Sequence, residues 1–152
     1  MSSSLLGKVF SLHRREWAEL FAAQAALLRA QRLIWTRRPG TLVTPVKSLP
    51  DGNGNDDSAS FEVRRLAVAV SRAARHGMFR PSCLVRAVAL HTMLQTRGFS
   101  ESSLHIGVRR GAQHLQAHAW VEYRGLVLGD EEWRVKQFAK LARMGMSPGE
   151  AS

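Results

Sequence analysis

The 152-residue chain contains a single cysteine, Cys83, and its neighbours suit it to chemistry. It lies in the stretch "MFRPSCLVRAVALHTML", directly after Pro81 and Ser82. Serine is a favoured N-cap, and proline fits just outside a helix, so this pattern predicts a helix beginning at about Cys83. The unpaired N–H groups of a first helical turn favour an anion, and the thiolate is the nucleophilic form of cysteine. Cys83 is therefore a candidate nucleophile, although a buried single cysteine is commonly inert.

Among six histidines, His118 has the surroundings best suited to a catalytic base. The stretch "AHAWVEYRGLVLGD" reads as two strands joined by a tight turn. A three-residue loop over 123–125 is favoured, because a two-residue type I′ loop would need a positive φ at Arg124. That register places His118 opposite Asp130 on one sheet face, with Cβ atoms roughly 4.5–5.5 Å apart. A two-residue loop would instead pair Asp130 with Ala119 and turn its carboxylate to the other face.

Together these three side chains predict a Cys–His–Asp arrangement for acyl chemistry. Cys83 would attack a carbonyl carbon, and His118 would take the thiol proton and later protonate the leaving amine. Asp130 would hold the imidazole in the useful tautomer. The backbone N–H of Cys83 is a natural donor for the developing oxyanion.

The elements that must position this site follow an α+β order, with helices first and a small antiparallel sheet after them. Apolar periodicity and breaking residues predict helices over 11–36, 61–76 and 83–97, the last one ending at Gly98. Three strands are predicted in "LHIGVRR", "AHAWVEY" and "LVLGD", followed by a short helix over 135–143. The predicted organisation is a basic amphipathic helical region over 1–44, a polar linker over 45–60, the main domain over 61–143 and a disordered tail over 144–152.

Composition restricts the function classes. Twenty-two Lys and Arg against 12 Asp and Glu give a net charge of +10, which attracts polyanions. No zinc-finger spacing or RNA-binding signature accompanies this charge, so no specific nucleic-acid partner is predicted. The basic N-terminal helix leaves peripheral membrane contact open, but packing on its own domain or on a partner protein is favoured. With one cysteine and no signal-peptide pattern, a cytoplasmic protein without metal or cofactor is expected.

Three motifs in order carry a family resemblance: "RPSCLVRAVALHTMLQTRGF", "LHIGVRR" and "AHAWVEYRGLVLGD". Over about residues 61–130 the chain resembles the leader peptidase of lasso peptide biosynthesis. That enzyme is the peptidase portion of the microcin-processing B protein, a transglutaminase-like cysteine peptidase. The resemblance implies a papain/transglutaminase-like core with the nucleophile at a helix N-terminus. Matched motif by motif, the nucleophile, base and orienting acid fall on Cys83, His118 and Asp130.

The activity implied is removal of the leader peptide from a ribosomally made precursor, ahead of ring closure by a separate ATP-using macrolactam cyclase. Some relatives carry a leader-binding domain in front, for which the first sixty residues have no strand pattern. The expected partners are thus the precursor peptide and a separate leader-binding protein, with the cyclase as a further candidate. The positive charge would steer an acidic leader or that partner. Two alternatives stay open: a transglutaminase-like acyl transferase or amidase using the same triad, and a non-catalytic basic module that binds nucleic acid or membrane.

Overall fold

A computed structural model describes residues 14–36, 57–77 and 79–144. Within these ranges the chain forms helices and an antiparallel sheet of four strands in the order β3-β2-β1-β4, which confirms the predicted α+β class. The elements are α1 Arg14–Thr36, α2 Asp57–His76, α3 Cys83–Thr96, β1 Ser102–Arg110, β2 Leu115–Tyr123, β3 Leu126–Leu128, α4 Glu132–Val135 and β4 Ala139–Met144.

The N-terminal helix α1 packs on the main domain, against α2 and α3. Its apolar stripe is covered there, since Ala23 and Leu27 are fully buried. At the same contact the carboxylate of Glu19 accepts from the guanidinium of Arg65 in α2, at 2.8 Å. Burial of a leucine side chain contributes about 2 kcal/mol, so Leu27 helps to fix the helix in place. The basic helix therefore forms part of the domain core.

Helix α2 begins at Asp57, four residues before the predicted start at Phe61. An aspartate in a first turn is favoured by the helix dipole, which explains why the polar stretch continues into the helix. Residues 45–56 of the predicted linker lie outside the described residues. So do the first three residues of the predicted N-terminal helix and residues 145–152 of the predicted tail.

The short helix predicted over 135–143 is wrong. Helix α4 ends at Val135, and Ala139–Met144 forms β4, which pairs antiparallel with β1. Val135 and Phe138 cover the indole of Trp120 in an apolar cluster on the outer face of the sheet. A long-range strand pairing thus overrides a local helical preference, because the exposed edge of β1 offers backbone hydrogen bonds to the segment that follows Phe138.

The sheet has two covered faces, and this arrangement sets the position of the site. Leu104, Ala119 and Val121 face the three long helices, while Trp120 lies on the opposite face with Phe138. The strand β3 is only three residues long and pairs with Val121–Tyr123, so the first half of β2 forms the sheet edge there. Beside this edge lies the beginning of α3.

Among the described residues, no helix combines the length and apolar character needed to cross a bilayer.

Candidate active site

The candidate nucleophile occupies the first position of α3, as predicted. Ser82 is the N-cap, with an extended backbone, and its Oγ accepts from the N–H of Val85 at 3.4 Å. The carbonyl of Ser82 accepts the first helical bond from Arg86 at 3.1 Å. Cys83 is half-buried. The cap holds the helix start in place and leaves the thiol partly accessible.

The imidazole of His118 is held on the outer face of β2 between two aromatic rings. Its centroid lies 5.1 Å from the ring of Phe138 and 6.2 Å from that of Trp120. Gly107 lies opposite His118 in β1, and a Cβ atom there would come within 2.9 Å of both aromatic side chains. The glycine therefore gives the two rings the space they need to close on the histidine.

Asp130 contacts His118 directly. The Nε2–H of the imidazole donates to Oδ2 of the carboxylate, and the second oxygen, Oδ1, accepts from the N–H of Glu131 at 2.9 Å. With its hydrogen on Nε2, the imidazole has Nδ1 as its acceptor nitrogen, which is the one suited to take a thiol proton. The predicted contact between these two residues is confirmed.

The strand register that was expected to produce this contact is wrong. Val121 pairs with Leu128, and Tyr123 with Leu126, so the hairpin has the two-residue loop that sequence reasoning rejected. Arg124 adopts a φ of 47° and Gly125 a φ of 79°, as in a type I′ turn.

This left-handed conformation costs a residue with a side chain about 1–2 kcal/mol, and Arg124 makes two contacts that oppose part of that cost. Its guanidinium donates to the carboxylate of Glu101 and lies over the ring of Tyr123, 5.4 Å from the centroid. Tyr123 is the adjacent residue, whereas Glu101 lies just before β1, 23 residues earlier, and is not evident from the loop alone.

Asp130 reaches His118 through a turn beyond the end of β3. The strand stops at Leu128, and Gly129 has a φ of 73°, which redirects the chain. The carbonyl of Gly129 accepts from Nη2 of Arg86 at 3.1 Å, so the turn is tied to α3 one helical turn after Cys83. Arg86 and Gly129 were not predicted to serve the site. The available signal was the i,i+3 spacing from Cys83 to Arg86, which places both on one face of the helix.

Cys83, His118 and Asp130 line the same small pocket, together with Ser71, Arg86 and Leu90. Its volume is about 20 Å³, which is close to the space required by one water molecule. The structure thus brings the three predicted residues to one place, with the helix start on one side and the histidine–aspartate pair on the other. Space of this size admits one small polar atom beside Cys83, such as a carbonyl oxygen, and no larger part of a substrate.

The buried histidine of α3 is a structural group. His91 is 1 % exposed, and its Nδ1 lies 3.2 Å from Oγ of Ser102. Burial lowers the pKa of His91 to about 4, so the ring is neutral at physiological pH.

No cluster of three His, Cys, Asp or Glu side chains in the described part of the chain is arranged to hold a metal ion.

The comparison with known families defines the class of protein. The family model described as the transglutaminase-like superfamily matches residues 24–143, which is most of the chain. The chain belongs to the transglutaminase-like superfamily, whose members are generally cysteine peptidases and acyl transferases, and the predicted fold class is thereby confirmed. No curated protein and no solved structure matches the chain.

Proposed function

We propose that the chain is a cysteine peptidase that uses Cys83 as nucleophile, His118 as base and Asp130 as orienting acid. The observation that carries this proposal is the histidine–aspartate hydrogen bond on the wall of the pocket that Cys83 also lines. A charged or hydrogen-bonded carboxylate fixes both the tautomer and the orientation of an imidazole. The superfamily membership supports the same chemistry.

In the proposed reaction, Nδ1 of His118 takes the thiol proton and the Cys83 sulfur attacks the scissile carbonyl carbon. The oxyanion is stabilised by the unpaired N–H groups at the start of α3, of which that of Cys83 is the nearest. The tetrahedral intermediate collapses, the C–N bond breaks, and the imidazolium protonates the leaving amine. Water, deprotonated by the same nitrogen, then hydrolyses the thioester and releases the thiol.

The substrate we propose is the leader-bearing precursor of a lasso peptide, cleaved between leader and core. Support comes from the three motifs that resemble the leader peptidases, which carry all three residues of the candidate site in their order. The proposed partners are a separate leader-binding protein that presents the precursor and the cyclase that receives the core. The net charge of +10 suits an acidic partner or leader.

The test is incubation with a lasso precursor peptide encoded beside this chain, with and without the leader-binding protein, read by mass spectrometry. We expect a core product with a free amino terminus and a leader product that carries one ¹⁸O atom from labelled water at its new carboxyl group. Cys83→Ala and His118→Ala should abolish them, whereas His114→Ala, which changes an exposed loop histidine, should not.

Cleavage that persists in Cys83→Ala would contradict the proposed nucleophile. Products joined to an added amine in place of ¹⁸O would show acyl transfer, and would overturn the assignment as a hydrolase while keeping the same three residues.

A further inference from the structure

A wide groove opens from the rim of the small pocket and shares Ser71, Arg86 and Asp130 with it. The groove has a volume of about 920 Å³, against about 20 Å³ for the pocket itself. The pocket itself has no room for the side chains of a peptide. The flanking residues of any peptide that reaches Cys83 therefore have to lie in an open surface feature such as this one.

One wall of the groove is the exposed face of α2. Arg64, Val68, Arg72 and Arg75 recur along it at helical spacing, and each side chain is exposed. The facing wall is formed by α4, with Trp133 and Arg134. An aromatic side chain between arginines is typical of a surface that binds a protein or peptide through both apolar and charged contacts.

The charge of the groove is strongly unbalanced. Five arginines line it, while its carboxylates are those of Asp130 and Glu131. Asp130 is bonded to His118, and Glu131 accepts from the indole N–H of Trp133. Within the described part of the chain, Arg72, Arg75 and Arg134 form no ion pair. The guanidinium groups are thus available to a ligand.

We propose that this groove binds the substrate peptide beside the scissile bond and selects segments that carry aspartate or glutamate. The inference rests on the proposed peptidase function, and it adds where the substrate lies and which side chains it must have. Arginine presents paired N–H donors that match a carboxylate in a two-bond contact. Trp133, which is 63 % exposed, provides an apolar surface for the peptide between those contacts.

A peptide fits these observations better than a nucleic acid does. The groove leads into the pocket that Cys83 lines, where an acyl carbon must be delivered. It is also partly apolar, with Val68 and Trp133 both exposed. A phosphate backbone binds mainly through positive charge, and would need neither these exposed apolar side chains nor a cysteine at the end of the groove.

The test uses the full chain with Cys83→Ala, immobilised and exposed to two synthetic octapeptide libraries. The libraries are identical except that one contains glutamate wherever the other contains glutamine. We expect the glutamate library to be retained roughly tenfold better at low salt, with the difference shrinking as salt is raised. The double change Arg72→Glu and Arg75→Glu should remove the preference. The matched control Arg29→Glu and Arg32→Glu makes the same charge change at two exposed arginines of α1 with the same i,i+3 spacing, outside the groove, and should keep the preference.

Equal retention of both libraries would overturn the proposal, and so would equal loss in the control variant. Stronger retention of a single-stranded DNA oligonucleotide, which displaces the acidic peptides, would also overturn it. Precursor cleavage measured in parallel separates the two proposals. Cleavage without any acidic preference removes the groove assignment alone, whereas acidic selection without cleavage of a precursor removes the peptidase assignment alone. Circular dichroism of each variant confirms that it is folded.

Discussion

Arg86 and Gly129 join the two sides of the candidate active site: the guanidinium on α3 donates to the carbonyl oxygen of the turn that carries Asp130, at 3.1 Å. Arg86 lies one helical turn after Cys83, so a single hydrogen bond connects the helix of the nucleophile to the segment of the acid. We therefore assign Arg86 a positioning role in the proposed reaction.

Replacing Arg86 by alanine should lower kcat for precursor cleavage by roughly 10–100-fold, because a small misplacement of a catalytic group costs about that much. Arg86→Lys should restore part of the loss. The groove also contains Arg86, so a binding role would raise KM, whereas a positioning role lowers kcat. A second measurement is the pH dependence of Cys83 alkylation by iodoacetamide. It depends on His118 and Asp130 but needs no bound peptide. An unchanged kcat and alkylation profile in Arg86→Ala would contradict the positioning role.

Gly129 offers a test with an internal control. Alanine at Gly129 or at Gly98 forces a residue with a side chain into a left-handed conformation, with φ of 73° and 87° respectively. Neither position is crowded, because a Cβ at Gly98 meets nothing within 4 Å and one at Gly129 meets its nearest atom at 3.5 Å. Each change should therefore lower the free energy of unfolding by about 1 kcal/mol.

Only Gly129→Ala should also reduce activity, since relief of the strain moves Asp130 away from His118. Urea unfolding and cleavage rates measured on both variants provide the comparison. Equal activity in the two variants would mean that the turn at Gly129 does not position the acid.

Changing Asp130 to asparagine should lower kcat by roughly 10²–10⁴-fold and leave the fold intact. The amide cannot hold the imidazole with its hydrogen on Nε2 as a carboxylate does, so the base nitrogen is no longer defined. Glu131→Gln is the matched control, because it removes a neighbouring charge without touching His118. The measurement is the single-turnover cleavage rate. A comparable loss of rate in both variants would indicate that the rate depends on negative charge in the groove and not on the orientation of His118.

Burial of His91 makes stability depend on pH in a defined range. Its pKa is lowered to about 4 in the folded protein, against about 6.5 when unfolded, so between these values the unfolded chain binds a proton that the folded chain does not. The free energy of unfolding is therefore unaffected by His91 above pH 6.5. It falls by up to about 3 kcal/mol as the pH drops toward 4.

The free energy of unfolding, measured with urea at several pH values, should fall with decreasing pH in the parent chain. The slope of this plot should be shallower in His91→Gln. The exposed His114→Gln should leave the slope unchanged. A slope that is identical in all three would exclude His91 as its origin.

Local sequence patterns predicted the parts of the site that depend on local physics. Ser82 caps the helix through an oxygen three residues from its donor, and Gly98 ends the helix with a φ available to glycine. The alternation in "AHAWVEY" predicted β2 and so put His118 on a strand. Each of these features depends only on residues that lie close together in the sequence.

The parts that sequence reasoning missed depend on residues far apart in the chain. Arg124 adopts a positive φ, and its guanidinium donates to Glu101, 23 residues earlier, which a reading of the loop alone does not reveal. Strand β4 exists because β1 has an edge to which it can pair. The expected contact between His118 and Asp130 is present, but it results from a chain reversal at Gly129 and not from the strand register.

Because β3 is short, the segment that carries Asp130 should unfold locally at a lower cost in free energy than the rest of the molecule. This segment is held by three paired residues, by the burial of Leu128, and by the side-chain bonds to Arg86 and His118, whereas the helices and β1 contribute most of the main core. Local opening of such an edge requires far less free energy than global unfolding. On warming, β3 and the turn after it should fray first, carrying Asp130 off while Cys83 and His118 stay in place. Catalytic competence would then be lost at a lower temperature than the fold, and hydrogen exchange at Leu126–Leu128 would report the difference.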